Sequence, residues 1–279
     1  MTSGHPIEES LNKLALLREQ GRGLLMTEPD PGSGWLSVAD LATESVHMDG
    51  LFKRIQAHYK TQKLRPPAMF WFGHYAYTVE IIIFACFLIE RRVPDLSLDQ
   101  IHMRFDERGD IENMAWTGRA FAALPDDPHA RHPDCTVLPT REALRGYMQE
   151  RLIANFTPVV DSISKYSSLG RPGLWEIAAD YSAFAFTWLG ELMGDESLGV
   201  EESRLFSAHA SRLSVRRDFI PIEHLGHTHY MLDRTSCCLY FKVQGGSYCH
   251  SCPHRPLEER IRMMKEHMEE AAEAAGNHG

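Results

Sequence analysis

The stretch MFWFGHYAYTVEIIIFACFLI, residues 69–89, has the length and apolar character of either a membrane span or a buried core helix. Glu80 lies in the middle of this stretch and His74 lies near its start. A carboxylate at the centre of a bilayer costs about 2.5–3.5 kcal/mol on insertion scales. The pattern therefore predicts a core helix and leaves open a peripheral contact with an inner membrane.

The composition is that of an ordinary globular protein of 279 residues, with 43% apolar and 24% charged residues. The net charge of −9 argues against a nucleic-acid surface, because such a surface needs a stripe of cations. The first 21 residues contain Glu8 and Glu9 and lack the apolar run of a signal peptide. We therefore expect a cytoplasmic protein that binds no nucleic acid.

Outward from the apolar stretch, the hydrophobic periodicity predicts an α+β fold with a mostly helical body. Ile101, Met103 and Phe105 alternate with polar residues before turn-forming residues 106–110, which predicts a central β-hairpin over 101–116. The sequence FIPIEH, residues 219–224, predicts a short strand. Further helices are predicted over residues 6–19, 37–60, 140–167, 174–193, 201–213 and 256–275.

The best candidate for a boundary is LPDDPHARHPDCTVLPT, residues 124–140, which contains four prolines and three aspartates. A second boundary precedes a cysteine-rich segment that begins at residue 233. The predicted regions are therefore an N-terminal helical and hairpin region, 1–123, a helical body, 124–232, and a small C-terminal segment with a terminal helix, 233–279.

Four of the six cysteines lie close together near the C-terminus in the pattern C-C-x10-C-x2-C: Cys237, Cys238, Cys249 and Cys252. Gly245 and Gly246 favour a two-residue turn, and the flanks CLYFKVQ and SYC are β-formers. The sequence therefore predicts a short hairpin that brings the four sulfurs together. A regular ladder would leave Cys249 about 13 Å along the strand from Cys238, so the C-x-x-C part must curl back as a loop.

The spacing alone leaves three occupants open. A disulfide pair is disfavoured in a reducing compartment. Structural zinc takes four cysteines, or three with a histidine such as His250 or His254. An iron–sulfur cluster takes four thiolates, and it tolerates irregular spacing because its bridging sulfides spread the thiolate pairs apart.

The sequence RTSCCLYFKVQGGSYCHSCP, residues 234–253, resembles the signature of the FhuF-type ferric siderophore (ferric hydroxamate) reductases. That family has C-C-x10-C-x2-C in a small C-terminal [2Fe–2S] domain, flanked by an Arg-x-[Ser/Thr] run, a Leu-Tyr pair and a Gly-Gly. The resemblance covers about twenty residues. The matching flanks are Arg234 with Ser236, Leu239-Tyr240 and Gly245-Gly246.

The resemblance implies that Cys237, Cys238, Cys249 and Cys252 hold a [2Fe–2S] cluster. It also implies one-electron reduction of Fe(III) to Fe(II), which releases iron in the cytosol from an imported siderophore. No G-x-G-x-x-G fingerprint for a flavin or nicotinamide is present. The electron is therefore expected from a separate donor, a reduced ferredoxin or a flavoprotein reductase.

Charged and imidazole side chains near the cysteines are candidates for tuning the cluster or binding the substrate. These candidates are Arg234, Lys242, Arg255, His227 and His229. Two alternatives to the reductase remain at this point. One is a zinc-stabilised interaction module, and the other is an iron–sulfur electron carrier or sensor without its own substrate.

Overall fold

The computed structural model of the chain describes residues 4–14, 25–26, 34–208, 211–215 and 218–276. The fold is an α+β mixture dominated by helices, as predicted. Within the described ranges the helices are α1 Pro6–Lys13, α2 Val38–Thr43, α3 Ser45–His58, α4 Arg65–Ala85, α5 Arg141–Ser167, α6 Arg171–Leu192, α7 Glu196–Ser207 and α8 Leu257–Gly276. The strands are β1 Leu25–Met26, β2 Leu36–Ser37, β3 Arg92–Pro94, β4 Ile101–Phe105, β5 Ile111–Trp116, β6 Phe121–Ala123, β7 Cys135–Val137, β8 Phe219–His224 and β9 His227–Leu232.

Helix α4 is the central helix of the core and contains most of the apolar stretch. It begins with proline in its first turn, where the missing N–H costs no intrahelical hydrogen bond, and continues as a π-turn over Cys86–Glu90. By length and composition, residues Arg65–Glu90 could cross a membrane, but 78% of the apolar window is buried inside the fold. The prediction of a core helix is confirmed.

Glu80 is completely buried in α4. One carboxyl oxygen accepts a hydrogen bond from the Ser182 hydroxyl of α6 at 2.6 Å, and the other has no partner among the described residues. Burial raises the pKa of Glu80 well above 4.5. The folded chain therefore favours the protonated, uncharged form of this carboxyl.

Helices α5, α6 and α7 surround α4. The rings of Phe84 and Phe186 stack with centroids 3.9 Å apart, which fixes α4 against α6. The hydroxyl of Tyr75 in α4 donates to the Asn155 side chain of α5 at 2.5 Å, so this buried polar pair is satisfied. One hydrophobic cluster includes side chains from Ile7 to Leu213.

The predicted central hairpin is confirmed as β4 and β5, which pair antiparallel. Asp106 shapes its turn, because its carboxylate accepts hydrogen bonds from the N–H groups of Arg108 and Asp110. This hairpin belongs to a sheet in the order β1-β5-β4-β2, and a second sheet has the order β3-β6-β7. The predicted strand β8 pairs with β9, a partner that the sequence did not reveal.

Several predicted helix boundaries move for local reasons. The helix predicted over 37–60 is two helices, because Glu44 is extended and its N–H caps α2 by donating to the Asp40 carbonyl. Helix α7 begins at Glu196 and ends at Ser207 instead of spanning 201–213, since the Asp195 carboxylate caps its N-terminus. Residues 15–19 of the first predicted helix lie outside the described residues. The predicted divisions at 123/124 and 232/233 stay predictions.

The predicted hairpin at the cysteines is wrong. Residues 233–256 form an extended segment, a 3-10 turn at Tyr240–Lys242 and further turns, with no strand. The β-forming segment CLYFKVQ does not form a strand, because Leu239 has a left-handed φ of 63° that interrupts the extended backbone. The regular strands closest in sequence are β8 and β9, which precede this segment.

We expect the substitution Glu80→Gln to stabilise the fold in a pH-dependent way. Below about pH 4.5 the carboxyl is protonated in both the folded and the unfolded chain. Between this pH and the raised pKa of the folded chain, the unfolded chain ionises while the folded chain stays protonated, so the free energy of unfolding falls by up to about 1.4 kcal/mol per pH unit. Glutamine cannot ionise and avoids this loss.

Thermal unfolding of both chains at pH 4.5 and pH 8 measures this difference. The melting temperature of E80Q should exceed that of the parent at pH 8 by more than it does at pH 4.5. The exposed Glu150 offers the control substitution E150Q, which should show no such pH dependence. A gain from E80Q that is equal at both pH values would contradict the prediction.

Candidate metal centre

The cysteine segment lies between strand β9 and helix α8 and is held at both ends. The Arg260 guanidinium of α8 donates to the Asp233 carboxylate at 2.8 Å. At the other end, the Arg255 guanidinium donates to the carbonyls of Tyr248 and Cys249 at 2.9 and 3.2 Å and pairs with Glu259 of α8. These contacts fix the backbone on both sides of the sulfurs.

The two glycines are required by the backbone of this segment. Gly245 has a φ of 75°, in the region that favours glycine. A Cβ on Gly246 would lie 1.9 Å from the Tyr240 carbonyl oxygen, so no side chain fits there. The Gly-Gly pair thus permits a tight turn. The turn does not connect two β-strands, contrary to the prediction.

The structure brings the four predicted sulfurs together. The thiols of Cys238 and Cys249 share a hydrogen bond, which lowers the pKa of Cys238 to about 6 and raises the pKa of Cys249. Cys252 is buried and interacts electrostatically with both Cys237 and Cys249. The Leu239 N–H donates to the Cys237 sulfur at 3.4 Å. The assignment of these four residues as ligands stays a prediction.

The spacing of the sulfurs distinguishes between a single ion and a two-iron core. Zinc at about 2.3 Å from each of four sulfurs requires sulfurs about 3.8 Å apart. In the described part of the chain, no three cysteine sulfurs lie within 4.8 Å of one another, and neither His250 nor His254 completes such a group. Wider spacing suits a [2Fe–2S] core, in which sulfides separate the thiolate pairs. The donor set therefore fits this cluster.

Of the predicted cations, Arg234 is one whose charge acts on the clustered cysteine thiols. Its side chain is buried, donates to the Ser236 hydroxyl at 3.0 Å and lies over the Phe184 ring. Its charge acts to lower the thiol pKa values of Cys238 and Cys249. A buried cation at this position favours negative charge on the sulfurs.

Asp180 of helix α6 is a site residue that the sequence analysis missed. Its carboxylate accepts from the Ser236 N–H at 3.1 Å and lies 3.5 Å from the Arg234 Nε. Burial raises the pKa of Asp180, and the neighbouring Arg234 opposes this increase. The sequence signal was a lone acid in the otherwise apolar run IAADYSAFAF, residues 177–186.

The other predicted residues lie farther from the sulfurs or have structural partners. Lys242 is exposed with its ammonium over the Phe241 ring. His227 is exposed and lies opposite His224 at the turn between β8 and β9. His229 bonds to Glu196 at 3.0 Å, and this contact raises its pKa. Of the two histidines, His229 lines a cavity next to the cysteines.

That cavity has a volume of about 530 Å³, within the usual range for small-molecule sites. Helix α6, strand β9 and residues 247–251 supply most of its wall, which includes Cys249. Its charged and titratable lining side chains include Glu191, Glu196 and His229, and the described lining contains no lysine or arginine. The large cavity is thus open to one cysteine and is acidic.

A smaller cleft of about 180 Å³ reaches a different cysteine, Cys238. Tyr59, Phe70 and Tyr240 contribute aromatic rings to its wall. Tyr240 also lines the large cavity, so the two spaces adjoin at this residue of the cysteine segment.

We predict that serine at Cys237, Cys238, Cys249 or Cys252 abolishes the cluster, because each thiolate supplies one of four iron ligands. Each single variant should lose the visible absorption and most of the two irons and two acid-labile sulfides. Cys86→Ala and Cys135→Ser are matched controls away from the cysteine segment and should keep the colour. Full iron and sulfide content in one of the four variants would remove that residue from the ligand set.

We also predict opposite redox shifts from the buried ion pair. Reduction adds a negative charge to the cluster, so Arg234→Gln should lower the midpoint potential and Asp180→Asn should raise it. One electron corresponds to about 59 mV per tenfold change in equilibrium, and we expect shifts of that order. A titration followed by electron paramagnetic resonance measures them. Lys242→Gln, at an exposed position, should cause little change, and shifts of the same sign in R234Q and D180N would contradict the prediction.

Comparison with known proteins agrees with this geometry. The family described as ferric iron reductase FhuF-like transporter matches residues 69–217, which is more than half of the chain. The family described as FhuF 2Fe-2S C-terminal domain matches residues 234–254, which contain all four clustered cysteines. A search of curated proteins gave no match. The chain therefore belongs to the FhuF-like ferric iron reductases and carries their C-terminal [2Fe–2S] domain.

Proposed function

We propose that this protein is a cytosolic ferric-siderophore reductase that converts chelated Fe(III) to Fe(II) and so releases iron from an imported siderophore. The family supports iron reduction in general, and the large cavity supports the more specific activity. Because Cys249 forms part of the cavity wall, a chelate bound there would lie against a predicted cluster ligand. This contact is the observation that carries the proposal.

Reduction is sufficient to release the metal. Siderophores bind through hard oxygen donors, which prefer Fe(III) to the softer Fe(II). When bound, a [2Fe–2S] cluster supplies single electrons, and the conversion of one Fe(III) requires one. The chain's own contribution is to hold the chelate beside Cys249 and to exclude water with aromatic side chains such as Trp188 and Tyr248.

The charge of the cavity favours one class of chelate. Three hydroxamates neutralise Fe(III), whereas three catecholates leave a complex with a charge of minus three. Glu191 and Glu196 would repel such an anion, and the described lining offers no lysine or arginine to compensate. The cavity is therefore proposed to take neutral or cationic hydroxamate complexes.

The compartment and the electron donor belong to the same proposal. The proposed compartment is the cytosol, where thiols stay reduced and disulfides are rare. A reduced ferredoxin or a flavoprotein reductase is the proposed source of electrons. A peripheral contact with the inner membrane stays a prediction. Most of the apolar window of α4 is buried inside the fold and is therefore not available for such a contact.

The two alternatives from the sequence are less well supported. A zinc-stabilised interaction module does not account for the sulfur spacing or for the match to a [2Fe–2S] domain. An electron carrier or sensor without a substrate does not account for a cavity of about 530 Å³ beside Cys249.

The direct test mixes dithionite-reduced protein, freed of excess dithionite, with a ferric trihydroxamate and a chromogenic Fe(II) trap. We expect the cluster to reoxidise while about one Fe(II) is trapped per cluster, since one electron reduces one Fe(III). A cluster that stays reduced while the trap finds no Fe(II) would refute the reductase.

A bulky side chain at the rim of the cavity should separate substrate binding from cluster chemistry. Ser247 is exposed and lines the cavity, so Ser247→Trp should raise the chelate concentration needed for half-maximal rate several-fold and leave the cluster spectrum unchanged. Gln244→Trp places the same side chain at a nearby exposed position and should behave like the parent. Equal effects of both variants would argue against binding in this cavity.

A further inference from the structure

One segment of the chain has a net positive charge because it contains no acidic residue. Residues 51–79 contain five cations and no aspartate or glutamate, although the whole chain has a net charge of −9. The remaining residues therefore have a net charge of −14. The five cations lie on helix α3, on the loop after it and at the start of α4: Lys53, Arg54, Lys60, Lys63 and Arg65.

Three of these cations have no ionic partner among the residues that the structure describes. Lys60, Lys63 and Arg65 are exposed, and none forms a salt bridge within the described ranges. Lys53, by contrast, pairs with Asp49 at 2.5 Å, and Arg54 donates to the Asp106 carbonyl. We call the surface formed by Lys60, Lys63 and Arg65 the basic rim.

In sequence, the basic rim lies between two residues that line the small cleft reaching Cys238, Tyr59 and Phe70. Tyr59 lines this cleft and directly precedes Lys60, and Phe70 lines it from the first turns of the helix that Arg65 begins. The Tyr59 ring lies 5.0 Å from the Phe70 ring and 6.2 Å from the Tyr240 ring. Aromatic side chains beside unpaired cations are typical of interface centres and their rims.

Acidic groups also face this cleft, but they do not cancel the rim. Asp110 lines it, and the adjacent turn contributes the exposed Glu107 and Arg108. Both Asp110 and Arg108 act electrostatically on Tyr59, with opposite effects on its pKa. Asp106, Glu107 and Asp110 against Arg108 give the turn over residues 106–110 a net charge of −2, which is smaller than the +3 of the three rim cations.

We infer that the basic rim and the aromatic cleft form the docking site for the electron donor, and that this donor is an acidic one-electron carrier protein. This inference rests on the proposed function. The carrier would lose one electron and the [2Fe–2S] cluster would gain it, with no bond made or broken. The donor would dock on the Cys238 side, and the chelate would bind on the Cys249 side.

The positive charge of the basic rim, opposite in sign to that of the large cavity, supports this assignment of sides. An acidic protein is attracted to Lys60, Lys63 and Arg65 and is repelled by Glu191 and Glu196 at the large cavity. The docking face also leaves the chelate cavity open, so donor and substrate need not compete. Electrostatic steering of this kind raises association rates and weakens with salt.

The test uses the full chain and a plant-type [2Fe–2S] ferredoxin as the acidic probe. The triple variant Lys60→Glu/Lys63→Glu/Arg65→Glu reverses the rim. A matched control, Arg91→Glu/Arg119→Glu/Arg131→Glu, makes the same change in net charge. Arg91 follows the far end of the same helical run, roughly 40 Å from Arg65 at about 1.5 Å per residue.

Calorimetric titration at several salt concentrations is the first readout. We expect the parent to bind ferredoxin with an affinity that falls as salt rises. The rim variant should bind at least about tenfold more weakly at low salt and show little salt dependence, whereas the control should stay within about twofold of the parent. Acetylation mapped by mass spectrometry should show Lys60 and Lys63 protected by ferredoxin and Lys13 unprotected.

Equal weakening in the control and the rim variant, or no binding by the parent at low salt, would overturn the inference. Single-turnover Fe(II) release from dithionite-reduced protein separates this inference from the proposed function. That release needs no donor protein and should be the same in the rim variant and the parent. Its absence in the parent would refute the proposed reductase activity, while the binding measurements would still decide the docking site.

Discussion

The buried interaction between Asp180 and the pair Arg234 and Ser236 is the constraint on which the metal centre depends. It joins helix α6, which packs on the central helix α4, to a cysteine segment that has no strand of its own. Removing one partner would leave a buried charge without compensation, which typically costs about 3–5 kcal/mol. The helical body therefore positions the sulfurs through a polar contact.

The same interaction sets the electrostatics of the centre. A two-iron cluster with four thiolates has a net negative charge in both oxidation states, and a buried cation stabilises it. Arg234 supplies that cation, and Asp180 partly neutralises it. Because their charges are opposite, the balance between Arg234 and Asp180 would adjust the redox potential of a bound cluster. Exposed Lys242 has less influence because water screens its charge.

The sequence predicted the parts of the fold that local patterns determine. The helix over 140–167 and the hairpin over 101–116 were recovered because each buries one regular face. The hairpin predicted at the cysteines failed because β-propensity does not account for the left-handed angle at Leu239 or for the contact between Gly246 and the Tyr240 carbonyl.

The candidate site shows the same division. The spacing of the cysteines and the flanking Arg234 and Ser236 were visible because they lie within one short segment. Asp180 could not be identified from the sequence, since its partners Arg234 and Ser236 are 54 and 56 residues away in the chain and its role depends on helix packing. The large cavity also combines segments from Tyr77 to Met264, and no local pattern reports such a combination.

Two of the four clustered cysteines, Cys238 and Cys249, line different spaces at the surface of the cysteine segment. Cys238 lies in the wall of the small cleft and Cys249 lies in the wall of the large cavity, and their thiols are in hydrogen-bond contact. These two cysteines therefore place one thiol of the segment in the wall of each space. A C-x-x-C pair alone would present both of its sulfurs from one loop. The segment turned at Leu239 instead exposes Cys238 to the small cleft and Cys249 to the large cavity, the two approaches proposed above for a protein donor and a chelate.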